Sequence, residues 1–466
     1  MIQFFNTASG EKEEFRPLIP GEVKLYTCGP TVYDYSHIGN FRAYVFEDLL
    51  KRFLQSAGFQ VTHVMNLTDV DDKTIKGAAA QGVPLSEYTQ KFITAFFEDI
   101  QLLNIAPAEH YPRATEHIPE MVRMISGLLE KGYSYKKDGS VYFSIAKFPA
   151  YGRLSKIRLD ELQSTERIEV DEYEKESAQD FALWKNKKEG EPFWETEIGP
   201  GRPGWHIECS AMSTKYLGQT FDIHCGGVDN IFPHHENEIA QSEAYFGKKF
   251  VNYWLHCHHL VVDGEKMSKS KGNFFTLRDL IQKKIDPLVL RYLLLSTHYR
   301  KVLNFTFEAL EQAQTSLQRV KDLLYELDHR RFPEGENPTI PGLIQEAREK
   351  FFAGLSDDLN ISVALTGLFD LVKKANILIQ QEKIHRSDAQ SLLSFVYSLD
   401  RVLAVLPPMK EETLPEEIVK KIQEREKARK EKNYRLADAI RRELLEAGIV
   451  LEDTKEGVRW KLIKNL

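Results

Sequence analysis

A parallel-sheet α/β fold, split by an insertion and followed by an α-helical bundle and a small mixed α+β tail, is predicted for this chain of 466 residues. Three observations predict it. Val23–Cys28 and Val61–Asn66 are short strand-like runs, each closed by a polar turn and followed by a helical pattern. The helix after Asn40 carries Ala43, Phe46, Leu49, Leu50 and Phe53 at the spacing of one helical face. Strand-like runs return at Thr220–Cys225 and Val251–Val262 after a long stretch of different character, so one sheet is expected to form from two separated halves. Ligands in such folds bind beyond the carboxyl ends of the strands, and Cys28, His37 and Thr68 fall there.

The intervening stretch has a strand-like run at Val141-Tyr142-Phe143-Ser144 and an acidic, apolar-poor segment over 160–180, which reads as an exposed loop or hairpin. Beyond Arg291 the pattern turns helical, with Phe307, Leu310, Leu317, Leu323, Leu324 and Leu327 in register. Proline-bearing breaks at 332–338 and 406–408 bracket further helices. The tail shows a basic helical run, Gly448 as a helix terminator, and strands at Ile449–Glu452 and Val458–Leu462 joined by a turn at Gly457. The expected parts are 1–115, 116–200, 201–300, 301–410 and 411–466.

Composition sets the class. Hydrophobic residues make up 42% and charged residues 28%, as in ordinary soluble proteins, and even Leu288–Leu295 is broken by Arg291, so no membrane span is expected. The first residues lack a basic segment followed by an apolar one, so no secretory signal is expected and the cytosol is the expected compartment. Four cysteines without a close-spaced pair read as thiols or metal ligands, not disulfides. The net charge of −7 argues against indiscriminate nucleic-acid binding. From Lys420 onward, however, 14 Lys/Arg stand against 9 Asp/Glu, leaving about −12 on the rest of the chain. Phosphate contacts are expected in that tail.

Two motifs suggest nucleotide chemistry. In Lys266-Met267-Ser268-Lys269-Ser270, lysines three apart on a serine-rich loop can reach over a triphosphate. In His37-Ile38-Gly39-Asn40, a small turn opens a helix whose free N–H groups can receive it. Either alone is ordinary surface sequence; in this order they indicate a nucleotide-activating site. A ligand set is also available: Cys28 and Cys209 offer thiols, while Glu238 shares a helix face with His234 four residues away and almost equally with His235 three away. The cluster His256-Cys257-His258-His259 is a rival, although on a strand at most two of its members share a face.

Further segments carry a resemblance: Cys28-Gly29-Pro30-Thr31-Val32-Tyr33-Asp34, Asn66-Leu67-Thr68-Asp69-Val70-Asp71-Asp72-Lys73, Pro203-Gly204-Trp205-His206-Ile207-Glu208-Cys209-Ser210 and Phe232-Pro233-His234-His235-Glu236-Asn237-Glu238. With the two nucleotide motifs, the chain resembles the cysteinyl-tRNA synthetases of bacterial type, class I aminoacyl-tRNA synthetases, over essentially its whole length. The resemblance implies a Rossmann-like catalytic domain with an inserted connective domain. It implies that cysteine is activated with ATP and Mg²⁺ to cysteinyl-adenylate, and that cysteine then passes to the terminal adenosine of tRNA(Cys).

The resemblance also selects His234, so that Cys28, Cys209, His234 and Glu238 hold one zinc per subunit. It places His37, Gly39, Asn40, Lys266 and Lys269 at ATP, with Lys269 the principal contact. Gly29, Thr68, Trp205 and Asp229 would bound the amino acid, with Trp205 closing the pocket. Zinc would read the substrate sulfur directly, which a pocket judging size alone does poorly. Arg425, Arg429, Arg435, Arg441 and Trp460 would belong to a domain that reads the GCA anticodon, by stacking and phosphate contacts. A monomer is expected. Asn40 replaces the histidine of the general class I motif, and Cys225 and Asn230 depart from the family's commoner glycine and leucine. Competing readings are a cysteine ligase of mycothiol synthesis, disfavoured by the basic tail, and a non-catalytic RNA-binding relative, disfavoured by intact His37, Lys266 and Lys269.

Overall fold

Four parallel strands form the central sheet, in the order Val251–Cys257, Phe221–Gly227, Glu22–Thr27 and Gln60–Met65. The computed structural model describes residues 1–157, 180–407, 416–431, 433–447, 449–454 and 457–462. Strands on both sides of the insertion pair directly, Leu25 with Ile223 and Thr27 with Cys225, so the sheet is closed by residues 198 positions apart. Leu25, Tyr26, Val64, Phe221, Ile223 and Leu255 are fully buried, as a parallel sheet covered on both faces requires. Helix Ile38–Ser56 follows the first strand, and its buried face includes Phe41, Val45, Phe46, Leu49, Leu50 and Phe53. Helices Trp205–Leu217 and Glu236–Phe246 flank the strand Phe221–Gly227 in sequence.

The insertion contributes an antiparallel sheet of Ser134–Lys137, Ser140–Phe143, Phe181–Asn186 and Gly201–Pro203. Its Trp184 and Phe143 join the same core as Tyr26 and Ile207. The acidic stretch lies outside the described residues except for Asp180, which is buried and accepts from Tyr135 Oη at 2.9 Å and Ile145 N at 3.0 Å. The expected single run Val251–Val262 is corrected. It is two strands: Val251–Cys257 lies in the central sheet and Leu260–Val262 pairs with Glu265–Lys266 and Leu303–Phe305. The break falls at His258 and His259, where the chain leaves the sheet and His258 N bonds Tyr299 O instead.

The chain divides into two compact units. The first holds Met1–Gln318, Gln345–Leu371 and Ser398–Val405, and is stitched by a fully buried ion pair, Arg291 with Asp48 at 2.5 Å. Arg291 also donates to the carbonyls of Leu403 and Leu103, so the residue that breaks the apolar run is a structural cross-tie. The second unit, Arg319–Ile344, Val372–Tyr397 and Leu406–Leu466, contains helical sequence and the tail. The tail is two helices, Glu416–Lys430 and Tyr434–Glu446, and a hairpin of Ile449–Thr454 with Gly457–Leu462. Ile440, Leu444, Ile449 and Leu451 form its own small core. Gly448 lies outside the described residues.

Candidate active site and metal centre

Cys28 is the first residue beyond the strand Glu22–Thr27, and its N–H donates to Cys225 O at 3.4 Å. Cys209 sits on helix Trp205–Leu217. His234 belongs to a wide turn over Ile231–His235 that runs into helix Glu236–Phe246, which carries Glu238. One ligand atom from each of Cys28, Cys209, His234 and Glu238 lies within 4.8 Å of the others. A second set, Cys28, His224, His235 and Glu238, meets the same limit, so the spacing ambiguity at His235 has a physical counterpart.

Three of the four groups are dry, Glu238 being fully buried, Cys209 1% and His234 2% exposed, while Cys28 is half-buried. Burial alone would neutralise Glu238, but His224 Nε2 at 3.0 Å and His234 Nε2 at 3.1 Å hold its carboxyl down to about 2. Burial likewise opposes a thiolate, yet the Cys28 hydrogen bond and His234 bring Cys209 down to about 6, while burial and Cys209 push Cys28 well up. Glu238 Oε1 is fully buried with His234 Nε2, 3.1 Å away, as its polar neighbour, so a carboxylate oxygen and an imidazole nitrogen converge where a cation could sit between them. Two sulfurs, an imidazole and a carboxylate suit a zinc-like ion.

The surrounding imidazoles are ordered. His206 Nδ1 meets His234 Nδ1 at 2.8 Å, leaving Nε2 of His234 for the cluster. His235 Nε2 lies 3.3 Å from Cys28 Sγ, and its Nδ1 meets His256 Nε2 at 2.8 Å. From the rival cluster His256 faces inward, and the Cys257 thiol instead points to the carbonyls of Arg42 and His258. Cys225 is buried and belongs to neither ligand set.

At the nucleotide motif, His37 caps helix Ile38–Ser56. Its ring accepts from Asn40 N at 3.2 Å, and Asn40 Oδ1 accepts from His37 N at 3.1 Å. Burial keeps His37 below the usual imidazole range, with Asp229 opposing and Lys269 reinforcing the shift. Lys269 bonds Asp34 Oδ2, and its ammonium lies 5.2 Å from the Phe274 ring centre. Lys266 ends strand Glu265–Lys266 and is exposed. A Cβ at Gly39 would stand 2.7 Å from Met267 Cε, so this glycine admits the lysine loop itself.

The expected amino-acid residues differ in burial. Trp205 stacks on His234 with ring centres 4.3 Å apart, directly beside the ligand cluster. Thr68 is buried, donating to Glu208 Oε2 at 2.9 Å and accepting from Asn66 Nδ2 at 3.1 Å. Any side chain at Gly29 would strike Asn66 O at 1.8 Å. Asp229 is largely exposed, 3.5 Å from His259 Nδ1, and acts electrostatically on His37. In the tail Arg429, Arg435 and Arg441 are exposed and Tyr434 is 60% exposed, whereas Arg425 is only 2% exposed. The backbone of Trp460 lies in the last strand; its side chain is outside the described residues.

His206, His224, Asn66, Glu208 and Asp34 were not singled out from sequence. Four of them lie inside the quoted motifs, so the signal was present; their roles depend on partners 14 to 235 positions away, as the 28-residue separation of His206 from His234 illustrates.

Residues 14–315 match the family described as tRNA synthetases class I (C) catalytic domain, 350–407 the DALR domain, and 411–460 the cysteinyl-tRNA ligase anticodon binding domain. A cysteine–tRNA ligase of Chlamydia muridarum is 51% identical over 472 residues, covering 98% of this chain and 99% of that protein. One from Protochlamydia amoebophila is 49% identical over 467 residues, covering 99% and 98%. Among solved structures, Mycobacterium tuberculosis methionyl-tRNA synthetase in complex with methionyl-adenylate has a TM-score of 0.60 at 16% identity, covering 82% of this chain and 90% of that one. At that identity the likeness concerns the fold alone. Among the described residues, no helix is long and apolar enough to cross a membrane.

Proposed function

Because the chain belongs to the cysteine–tRNA ligase family, we propose roles for its individual side chains on that premise. The enzyme is a class I aminoacyl-tRNA synthetase. The cysteine carboxylate attacks the α-phosphorus of ATP and expels pyrophosphate; a hydroxyl of the terminal adenosine of tRNA(Cys) then attacks the mixed anhydride and releases AMP. Little covalent chemistry is asked of the protein, so positioning and charge must lower the barrier.

The observation that carries the substrate assignment is the convergence of Cys28, Cys209, His234 and Glu238 within 4.8 Å beside Trp205. Zinc, when bound by these four, supplies a soft ligand position that distinguishes a thiol from a hydroxyl. Both thiols belong to this set, which favours it over the set with His224 and His235. His206 orients His234, and Trp205 walls the amino-acid pocket. Thr68 and Gly29 shape its floor through Asn66 and Glu208. His37, Gly39 and Asn40 present the helix N-terminus to MgATP, while Lys266 and Lys269 meet its phosphates. Asp229, exposed near His37 and His259, is proposed to bound the amino acid on the side where it meets the nucleotide.

Arg429, Arg435, Arg441 and Trp460 are proposed to contact the tRNA, including its GCA anticodon; Arg425, being buried, is left out of that surface. A cytosolic monomer divided at about 115, 200, 300 and 410 completes the reading. Aminoacylation of purified tRNA(Cys) with cysteine and ATP, with metal analysis of the same sample, tests it. Charging without stoichiometric zinc would remove the metal role.

A further inference from the structure

The lysine loop lies along the turn that precedes the His37 helix. Ile38 N donates to Phe275 O at 3.0 Å, and His37 bridges Thr276. The rings of Phe274 and His37 meet at 5.1 Å, and the Arg278 guanidinium covers the Tyr35 ring at 5.0 Å. Met267 packs where Gly39 lacks a side chain. Within this docking, Lys269 and Asp34 form the ion pair. The carboxylate is aimed: Asp34 Oδ1 accepts from Tyr35 N at 2.8 Å, which leaves Oδ2 for the ammonium. The stretch bearing it is fixed from below by Tyr88 Oη, which donates to Tyr33 O at 2.7 Å.

We propose that Asp34 is a positioning residue that holds Lys269 in a docked resting place over the His37 turn and surrenders it to the triphosphate when ATP binds. This rests on the ATP role proposed for Lys269. The two side chains are 66% and 34% exposed, and a pair so placed is weak in water, as a contact broken in every turnover must be. A triphosphate carries several charges against the single charge of a carboxylate and wins the competition. Asp34 therefore orders the loop between turnovers and sets a threshold for nucleotide capture. Neither the capping of the helix nor the ligand cluster requires its charge.

Calorimetric binding of a Mg²⁺-bound, non-hydrolysable ATP analogue to the full-length enzyme tests this. Asp34→Asn keeps an acceptor for Tyr35 N and removes the charge; Asp34→Ser does the same if the first variant folds poorly. The analogue is expected to bind about fivefold tighter, the equivalent of a surface ion pair. Asp34→Glu should stay near wild type. In a Lys269→Ala background the gain should shrink to about twofold or less, the coupling expected of direct partners. Affinity of Asp34→Asn within twofold of wild type, or weaker, overturns the proposal. A gain that persists undiminished without Lys269 also overturns it, because it would reflect relief of repulsion alone. If Lys269→Ala by itself binds like wild type, the ATP role of Lys269 falls first, and this proposal with it.

Discussion

His206 Nδ1 stands 2.8 Å from His234 Nδ1, so a single proton between the two rings fixes which nitrogen of His234 faces Glu238 and Cys209. Both rings are buried, and no solvent competes for that proton. His206→Ala should therefore loosen zinc without removing a ligand, by about 10- to 100-fold, the usual cost of losing an outer-shell partner. Chelator competition measures it. Unchanged zinc affinity would assign His206 to packing.

Cys209→Ser and His234→Ala should lower zinc content and cysteine activation together. Selection of cysteine over serine by a site built on one specific contact can reach about 10⁴, which a pocket judging size cannot supply. Parallel pyrophosphate-exchange assays with cysteine and serine, with metal analysis, read this. A zinc-free preparation that still activates cysteine fully and excludes serine would refute the mechanism.

Lys269→Ala should leave folding intact, because the side chain is 66% exposed. Adenylate formation should slow by about a hundredfold or more, equivalent to roughly 3 kcal/mol for a charge contact made in the transition state. Near-normal pyrophosphate exchange would end its assignment.

Deletion from Leu414 onward should preserve cysteine-dependent pyrophosphate exchange and weaken tRNA charging at limiting tRNA. The tail has its own apolar cluster of Ile440, Leu444, Ile449 and Leu451, so its removal need not open the catalytic core. Undiminished charging would give the tail another role.

Glu47 is 1% exposed, its two oxygens make no hydrogen bonds, and burial raises its pKa to about 8, with the nearby Thr27 hydroxyl pulling the other way. The folded pKa exceeds the unfolded one, so the native state binds the extra proton, and stability falls as pH rises from about 4.5 to 8. Glu47→Gln should match wild type at about pH 4 and be more stable at about pH 9, by up to about 5 kcal/mol. Denaturant unfolding at the two pH values checks the sign.

The sequence made the alternation of strands and helices legible, because apolar spacing is local: helix Ile38–Ser56 and strands Glu22–Thr27 and Gln60–Met65 lie within one or two residues of their expected starts or ends. It also brought out the lysine loop and the cysteine, histidine and glutamate candidates, whose chemistry is written in residue type. The choice between His234 and His235 was open from spacing alone, since both can share a helical face with Glu238. Tertiary structure showed why: the turn at 231–235 sends His234 towards Cys209 and His235 towards Cys28 and His256, and both satisfy a ligand set. The break at His258 was invisible because apolar residues continue on both sides of it, and only pairing with different neighbours divides the run. Arg425 looked like its exposed neighbours because burial is set by what packs on a helix, not by composition. The pairing of Lys269 with Asp34 joins residues 235 apart, and such a contact exists only once the sheet has brought the two halves together.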